Sequence, residues 1–483
     1  MSFIEPAFLY FLPIFICGWL IARRNYWAQI GFMLAGSLVF YAHNRWWTLS
    51  LIATYCLVDW LVGIRIEKSL RPRLLLLAGI FFNLVVLAYW KYMPLIAKGF
   101  EALFGIEIVS TSRLESWTTP IGVSFYAFMG IAYMVDVYNG TVKPERNLLR
   151  YSLFTSFFPH LVAGPILRAQ EFLVHLRPEH IPKKPLDIWE GAFLIARGVF
   201  KKMVLADTIA AAIDPYFINI TAAPTQGIWS LPFIYLYSFQ IYFDFSGYTD
   251  IARGLGLWFG FRWPENFNWP YAATSIQDFW RRWHMTLSRF LRDYLYLPLG
   301  GSKGGRFRTS LNLMITMMLG GLWHGASLSF ALWGAIHGAL LVVHRIWHDS
   351  VLRSRLSGAL GPVVMTMLGI VVTFNSVSLS WCYFRLTDFA ASNACVEKSF
   401  AFDIPIAGGS ADRSLWTLLA IYGLAAAGAK LCMRSSPVGQ FSKLLETRPF
   451  MRGIAWGATV GLVVLAIMIA PITERPAFIY FQF

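Results

Sequence analysis

Residues 243–327 form a stretch in which charged residues, aromatic rings and glycines occur close together, in three blocks: FDFSGYTDIARGLG at 243–256, SIQDFWRRWHMTLSRFLRDYLYLPLGG at 275–301 and LMITMMLGGLWHGAS at 313–327. Long apolar runs flank these blocks on both sides. His284 lies in the second block and His324 in the third. Because the rest of the chain is mainly apolar, we expect the chemistry of this protein to reside here.

The composition is that of a membrane protein. Of 483 residues, 57% are hydrophobic and only 14% are charged, whereas a soluble protein is typically about 25% charged. Apolar runs near the length of a membrane span recur along the chain. Lipid offers the backbone no hydrogen-bond partner, so such runs must be helices or a closed barrel, and continuous rather than alternating runs favour helices. The composition predicts an all-α polytopic membrane protein.

The apolar runs locate the spans. They lie at 6–22, 27–42, 46–64, before 90, at 311–343, 362–384, 415–432 and 454–472. The run at 311–343 has 33 residues, or about 50 Å as one helix, which is too long for a hydrocarbon core of about 30 Å. Gly320, Gly321 and Gly325 mark the expected break, which places His324 at a junction of two helices. With the mixed segments included, we expect about 11 to 13 transmembrane or re-entrant helices.

The formal net charge is +15, and its distribution predicts topology. The loops at 23–26 and 65–73 are basic and should face the cytoplasm, whereas the charge-balanced loop at 91–116 should lie outside. Nucleic-acid binding would need a soluble basic domain, and none is visible. We therefore predict a multi-pass membrane protein, with lipid around it and no nucleic-acid partner.

We expect one integral membrane domain over 1–483. Its parts are N-terminal spans at 1–116, a catalytic core at 117–346 and C-terminal spans at 347–483. Within the core, Arg197, Lys201 and Lys202 follow one another at a spacing that would let their side chains snorkel to the membrane interface.

His284 lies in a predicted amphipathic helix from about Ile276 to Tyr296. Ser275 and Asp278 form a start signal like a capping box. The 3.6-residue period puts His284 on the apolar side with Trp280, opposite Arg282. Two interpretations remain open: a core histidine bonded to a backbone carbonyl, or a functional group that reaches a cavity.

His324 is the stronger functional candidate, because ionisable residues inside apolar spans are costly and uncommon. His337 has no polar neighbours in sequence and is interpreted as structural. His160 follows Pro159 in a segment typical of a broken helix that lines a cavity. Asp244 and Asp250 could orient a histidine or cap helices.

Histidine suits proton transfer, because its ordinary pKa is near neutrality, and a hydroxyl that attacks a thioester needs a base. The sequence contains no GxSxG, HExxH or CxxC pattern, so we predict neither a serine-hydrolase elbow nor a metal site.

The blocks resemble the membrane-bound O-acyltransferases, most closely the bacterial branch that acts in alginate O-acetylation and teichoic acid D-alanylation. The segments that carry the resemblance are YFDFSGYTDIARGLG, PENFNWPY, SIQDFWRRWHMTLSRFLRDYLYLPLGG, GGLWHGAS, IGVSFYAFMGIAYMVDVYNG, FFPHLVAGPILR and FIYFQF. The similarity covers nearly the whole chain, with no confident match over 385–450. The invariant histidine of the family falls on His324, and a second active-site histidine falls on His284.

The resemblance implies a ring of helices around a central funnel in a bacterial inner membrane, with His324 and His284 as catalytic residues. The implied activity is acetyl transfer from cytoplasmic acetyl-CoA, with no bound cofactor, to an exported, alginate-like polysaccharide, through a periplasmic acetyltransferase-like partner. A D-alanyl transferase that uses a carrier-protein thioester and a non-enzymatic polysaccharide transporter are the alternatives. We assign substrate contacts to Asp244, Tyr248, Asn268, Trp280, Arg281, Arg282, Trp323 and His160.

Overall fold

The computed structural model describes residues 1–43, 45–107, 109–110, 117–162, 164–220 and 230–400, with Gly457 and Gly461. Every regular element within these ranges is helical, which confirms the all-helical expectation. The α-helices are α1 (Pro6–Ala22), α2 (Tyr26–Ala42), α3 (Thr48–Ile66), α4 (Pro72–Phe104), α5 (Val123–Tyr138), α6 (Leu148–Ser156), α7 (Phe158–Leu161), α8 (Ala169–Phe172), α9 (Ile188–Val199), α10 (Asp207–Ile218), α11 (Leu231–Trp258), α12 (Ile276–Trp280), α13 (Met285–Leu291), α14 (Gly305–His324), α15 (Leu328–His348), α16 (Val351–Arg385) and α17 (Phe389–Ser399).

Four of the described helices, α3, α4, α15 and α16, are long and apolar enough to cross a membrane. The apolar helices α1, α2 and α5 are shorter, at 16 or 17 residues each. The predicted spans at 415–432 and 454–472 lie outside the described residues. The count of 11 to 13 spans and the ring with its funnel therefore stay predictions.

The described chain forms two compact units, and the first comprises Met1–Gly198 and Tyr248–Pro264. Helix α5 is buried on nearly all sides, as expected for a helix that is apolar all round. Next to it, the Asn83 Nδ2 of α4 donates a 2.6 Å hydrogen bond to the buried Asp59 Oδ1 of α3. Gly130 of α5 leaves no room for a Cβ beside that carboxylate. Polar side chains and a small residue thus tie three apolar helices together.

The prediction of a loop at 91–116 is wrong over residues 91–104, because α4 continues to Phe104 through Pro94. Leu95, Ile96 and Phe100 prolong the exposed apolar surface of the helix beyond the proline. The helix ends at Gly105, whose φ of 66° is left-handed and whose N–H bonds the Glu101 carbonyl. Residues 111–116 lie outside the described residues.

The second unit comprises Val199–Gly247 and the described residues from Glu265 onward. Its centre is the hairpin of α14 and α15, whose helices are separated at residues 325–327, as the length of the apolar run predicted. Of the three glycines expected at this break, Gly325 lies in it, but Gly320 and Gly321 lie inside α14. A Cβ on Gly321 would overlap the carbonyl oxygen of Phe330, and one on Gly334 would overlap that of Met317. The two glycines therefore allow the helix backbones to touch. The boundaries of the two units differ from those of the three predicted parts, and the single-domain assignment stays a prediction.

The single helix predicted from Ile276 to Tyr296 is wrong, because the chain forms α12, a turn, α13 and a short π-helical segment at Arg292–Tyr296. The predicted start is confirmed: the Ser275 hydroxyl accepts the Asp278 N–H. His284 then breaks the helix with φ 41° and ψ 54°, a left-handed conformation that is uncommon for residues other than glycine.

We expect Gly334→Val to destabilise the protein by about 1–3 kcal/mol, because the added side chain meets the α14 backbone, which cannot yield as a side-chain tip would. Thermal unfolding of the purified protein measures the effect. Gly358→Val is the matched control, since it adds the same β-branched group to α16 at a site with nothing within 4 Å. Equal unfolding temperatures for the two variants would contradict the close crossing.

Candidate active site

The backbone of His284 is held by the loop that precedes α12. The Asn268 N–H donates to the Arg282 carbonyl at 2.9 Å, and the Met285 N–H donates to the Asn266 carbonyl at 2.9 Å. These two bonds flank His284 on either side along the chain. They stabilise the left-handed turn, because the strain of such a conformation persists only where surrounding contacts determine it.

The imidazole of His284 is completely buried. Its Nδ1 lies 3.1 Å from Asn266 Oδ1, and its ring meets Phe245 edge-on with centroids 4.7 Å apart. The residue lies outside the four candidate spanning helices. Burial lowers the pKa of His284 from its ordinary value to about 3. The ring is therefore neutral at physiological pH and can act as a proton acceptor.

His324 is the last residue of α14 and is 4% exposed. Its ring is enclosed by three aromatic side chains, with centroid distances of 4.7 Å to Trp323, 4.9 Å to Phe384 and 5.2 Å to Trp333. Gly325 follows it, and a Cβ there would overlap the Phe330 ring. The helix end thus places a titratable group inside an aromatic enclosure, at the junction of two helices that the sequence predicted.

Trp323 brings the two histidines into one cluster, since its ring lies 4.7 Å from His324 and 6.2 Å from His284 between centroids. Trp280 belongs to the same cluster through Trp333, at 5.9 Å. Four of the predicted site residues, His284, His324, Trp323 and Trp280, are therefore gathered in the second unit. The cluster therefore combines two imidazole rings, which can carry protons, with the apolar rings of the tryptophans.

Other predicted site residues have different surroundings. Arg281 is exposed, and Arg282 forms a 2.8 Å ion pair with Asp278 one turn earlier. Asn268 takes part through its backbone N–H. Their assignment as substrate contacts stays a prediction.

Asp244 takes part in a buried ion-pair cluster. The Lys202 Nζ lies 2.9 Å from Asp244 and 2.7 Å from Asp207. Burial alone would lower the pKa of Lys202, but the two carboxylates raise it above its ordinary value. The expectation that Lys202 snorkels is thus wrong, because two acidic partners hold its ammonium group inside the protein. Asp250, in the first unit, pairs with Arg197 at 2.6 Å.

Tyr248 and His160 belong to the first unit. The Tyr248 hydroxyl bonds the Ser2 hydroxyl at 2.7 Å. His160 is buried among aromatic rings, with centroids 5.5 Å from both Phe172 and Trp263. Their substrate roles stay predictions. In the second unit, the buried His337 Nε2 lies 3.0 Å from the Ser380 hydroxyl, which accords with its structural interpretation.

Asn266 is the residue that the sequence analysis missed. It lies in the quoted PENFNWPY segment, two positions before Asn268, and 18 positions from its partner His284. No local spacing rule connects the two. Within the described ranges, histidine, cysteine and acidic side chains form no group of three or more that could hold a metal ion.

An apolar helical chain with two buried histidines against one tryptophan is an arrangement that suits a membrane enzyme in which a proton is transferred. Residues 143–377 match the model of MBOAT, the membrane-bound O-acyltransferase family. Together with the relatives described next, this match shows that the chain belongs to the membrane-bound O-acyltransferase family. It is therefore a polytopic membrane protein and an acyltransferase.

Three relatives illustrate the range of the family around this chain. The probable alginate O-acetylase AlgI of Pseudomonas aeruginosa is 38% identical over 83% of this chain and 75% of the relative. The peptidoglycan O-acetyltransferase of Helicobacter pylori is 30% identical over 99% of this chain and 90% of the relative. The teichoic acid D-alanyltransferase of Bacillus subtilis is 29% identical over 55% of this chain and 68% of the relative.

Proposed function

We propose that this protein is an inner-membrane O-acetyltransferase that takes acetyl groups from cytoplasmic acetyl-CoA and delivers them to an exported, alginate-like polysaccharide through a periplasmic partner protein. The observation that carries the proposal is the pair of buried histidines against Trp323. Two of the relatives described above carry O-acetylation of a carbohydrate polymer in their names, and both match this chain over more of its length than the D-alanyltransferase does.

The basic charge at one end of the α14–α15 hairpin supports the proposal that the acetyl donor comes from the cytoplasm. Arg306, at the start of α14, lies 3.9 Å from Asp349, just after α15. The basic residues at this end, which we call the basic end, are Lys303, Arg306, Arg308, Arg345 and Arg353. Positive charge of this density favours the cytoplasmic side and attracts phosphates such as those of CoA.

His324 lies at the other end of α14. The helix has 20 residues, which correspond to about 30 Å, or roughly the thickness of the hydrocarbon core. With the basic end in the cytoplasm, His324 is therefore reached by a thioester drawn in from one side and by an acceptor presented from the other. His324 then lies toward the outer face of the membrane, with its ring enclosed by protein.

The reaction requires a base and stabilisation of a developing oxyanion. A neutral histidine takes the proton of the acceptor hydroxyl as the hydroxyl oxygen attacks the thioester carbonyl. The carbon–sulfur bond then breaks, and the histidine gives the proton to the departing sulfur, so that CoA leaves as the thiol. The second histidine orients a substrate or stabilises the carbonyl oxygen. His324 acting as the base with His284 assisting is the assignment we propose; a covalent acyl-histidine at His324 uses the same residues.

The donor is tested by supplying purified protein in proteoliposomes with radiolabelled acetyl-CoA and, separately, with a D-alanyl carrier protein. Release of CoA, together with restored acetylation of the exported polysaccharide in a complemented deletion strain, is the expected result. Turnover of the D-alanyl thioester alone would assign the chain to the chemistry in the name of the Bacillus subtilis relative.

We expect Thr387→Cys to react with a membrane-impermeant thiol reagent on intact cells and Ser302→Cys to react only after permeabilisation. Both positions are exposed. Ser302 adjoins the basic end, whereas the Thr387 carbonyl accepts the Ser327 hydroxyl at the His324 end of the hairpin. The variants are made in a background without the native cysteines. The opposite labelling pattern would overturn the cytoplasmic-donor argument.

A further inference from the structure

The Asn266 side chain is buried, at 1% exposed. Three groups lie within hydrogen-bond distance of its Oδ1 atom. The Thr286 backbone nitrogen lies 3.1 Å from it, the Thr286 hydroxyl 2.9 Å and the His284 Nδ1 3.1 Å. The backbone carbonyl of the same asparagine accepts the Met285 N–H. Asn266 therefore contacts both the backbone next to His284 and its imidazole ring.

The Thr286 backbone N–H identifies the asparagine atom. The oxygen and nitrogen of an amide side chain are similar in shape, so their assignment has to come from the hydrogen-bond network. A backbone N–H can only donate, and the atom that faces it must therefore be the oxygen. Because that oxygen can only accept, the His284 Nδ1 must carry the proton that it shares with Asn266.

The tautomer of His284 follows directly. A neutral imidazole carries one proton, so a protonated Nδ1 leaves Nε2 with its lone pair. In the other tautomer Nε2 would carry the proton and could not accept one from a substrate. The bond to Asn266 thus decides which nitrogen of His284 is basic.

We propose that Asn266 is a positioning residue that fixes His284 as the Nδ1–H tautomer and thereby makes Nε2 the nitrogen that serves acyl transfer. The proposal rests on the proposed function, in which His284 assists His324. It assigns to Asn266 the role that a third group plays in orienting a catalytic base. Asn266 also stabilises the backbone, because its carbonyl accepts the Met285 N–H and so holds the left-handed turn at His284.

Two substitutions at Asn266 separate positioning from a merely structural role. Asn266→Ala removes the acceptor and is expected to lower kcat about 10–100-fold with little change in KM. Asn266→Asp keeps an acceptor in the same place, so it restores part of kcat. Its carboxylate also stabilises the imidazolium form of His284 and moves the acid limb of the pH–rate profile to higher pH.

Thr286→Val is the matched control, because it deletes one hydroxyl bond to Oδ1 but keeps the backbone N–H that orients the amide. Its activity should stay within about fivefold of wild type, a factor that corresponds to the free energy of one ordinary hydrogen bond. CoA release from acetyl-CoA by the purified proteins provides the rates. An Asn266→Asp profile that overlays the wild-type profile would overturn the proposal.

A measurement without turnover separates this proposal from the proposed function. Protein labelled with nitrogen-15 at histidine Nδ1 alone is compared by NMR with its His284→Gln variant, which assigns the His284 signal. The signal should be that of a protonated nitrogen in wild type and in Thr286→Val, and it should shift in Asn266→Ala. An unprotonated Nδ1 in wild type would overturn the tautomer assignment even in a fully active enzyme, and a protonated one supports it even if acetyl-CoA is not the donor.

Discussion

His324→Ala is expected to lower acyl transfer by at least about 10²–10⁴-fold, the usual contribution of a positioned acid–base group. The loss should be larger if the residue carries the acyl group. The substitution leaves α14 intact, because alanine is a good helix former and His324 is its last residue. Its ring contacts Trp323, Phe384 and Trp333, so we also expect some loss of thermal stability, as in other truncations of buried side chains.

His337→Ala provides the control for that prediction. His337 is also buried, and its ring also packs on Trp333, with centroids 4.6 Å apart. This variant should lose stability for the same reason yet keep activity within about tenfold per folded molecule. Activity is measured as CoA release and normalised to folded protein from thermal unfolding. Near-normal transfer by His324→Ala, or equal loss in the two variants, would contradict a catalytic role for His324.

The position of His324 could be predicted because it depends on local information. The apolar run at 311–343 is longer than the hydrocarbon core is thick, and its glycines mark where a break or a close approach of two helix backbones can occur. Residues 325–327 separate the helices, and Gly321 lies against the backbone of α15. Both signals are contained in about 30 consecutive residues, and the fold follows them.

The environment of His284 could not be predicted in the same way. The helical period extends without a break through the second block, so it favours one helix from Ile276 to Tyr296. The break at His284 depends on Asn266 and Asn268, which bond the backbone on either side of it. Tertiary hydrogen bonds of this kind override local propensity, and a single sequence does not reveal which distant residue supplies them.

Lys202 and α4 show two further limits of local sequence reasoning. The charge spacing around Lys202 is typical of a membrane interface, but Asp244, 42 positions away, helps to hold it inside. Charged residues after Trp90 suggested a loop, but a proline and a few charges do not end a helix whose exposed surface stays apolar. In both cases the deciding contact or surface lies outside the local pattern.

His284→Ala should lower transfer by about 10²–10⁴-fold, and the double variant with His324→Ala should be scarcely worse than the poorer single variant. The reason is geometric, because both imidazole rings lie against Trp323, with centroid distances of 6.2 Å for His284 and 4.7 Å for His324. Residues that act on one substrate as a unit give strongly non-additive losses. His284→Ala also removes the ring bonded to Asn266, so its folded fraction is measured by thermal unfolding and its rate is corrected for it.

The double-mutant cycle uses CoA release by wild type, both single variants and the double variant. His337→Ala and its double variant with His324→Ala form the matched control pair. If the loss in the double variant equals the product of the two single losses, the histidines act independently. That result would contradict a shared site at Trp323.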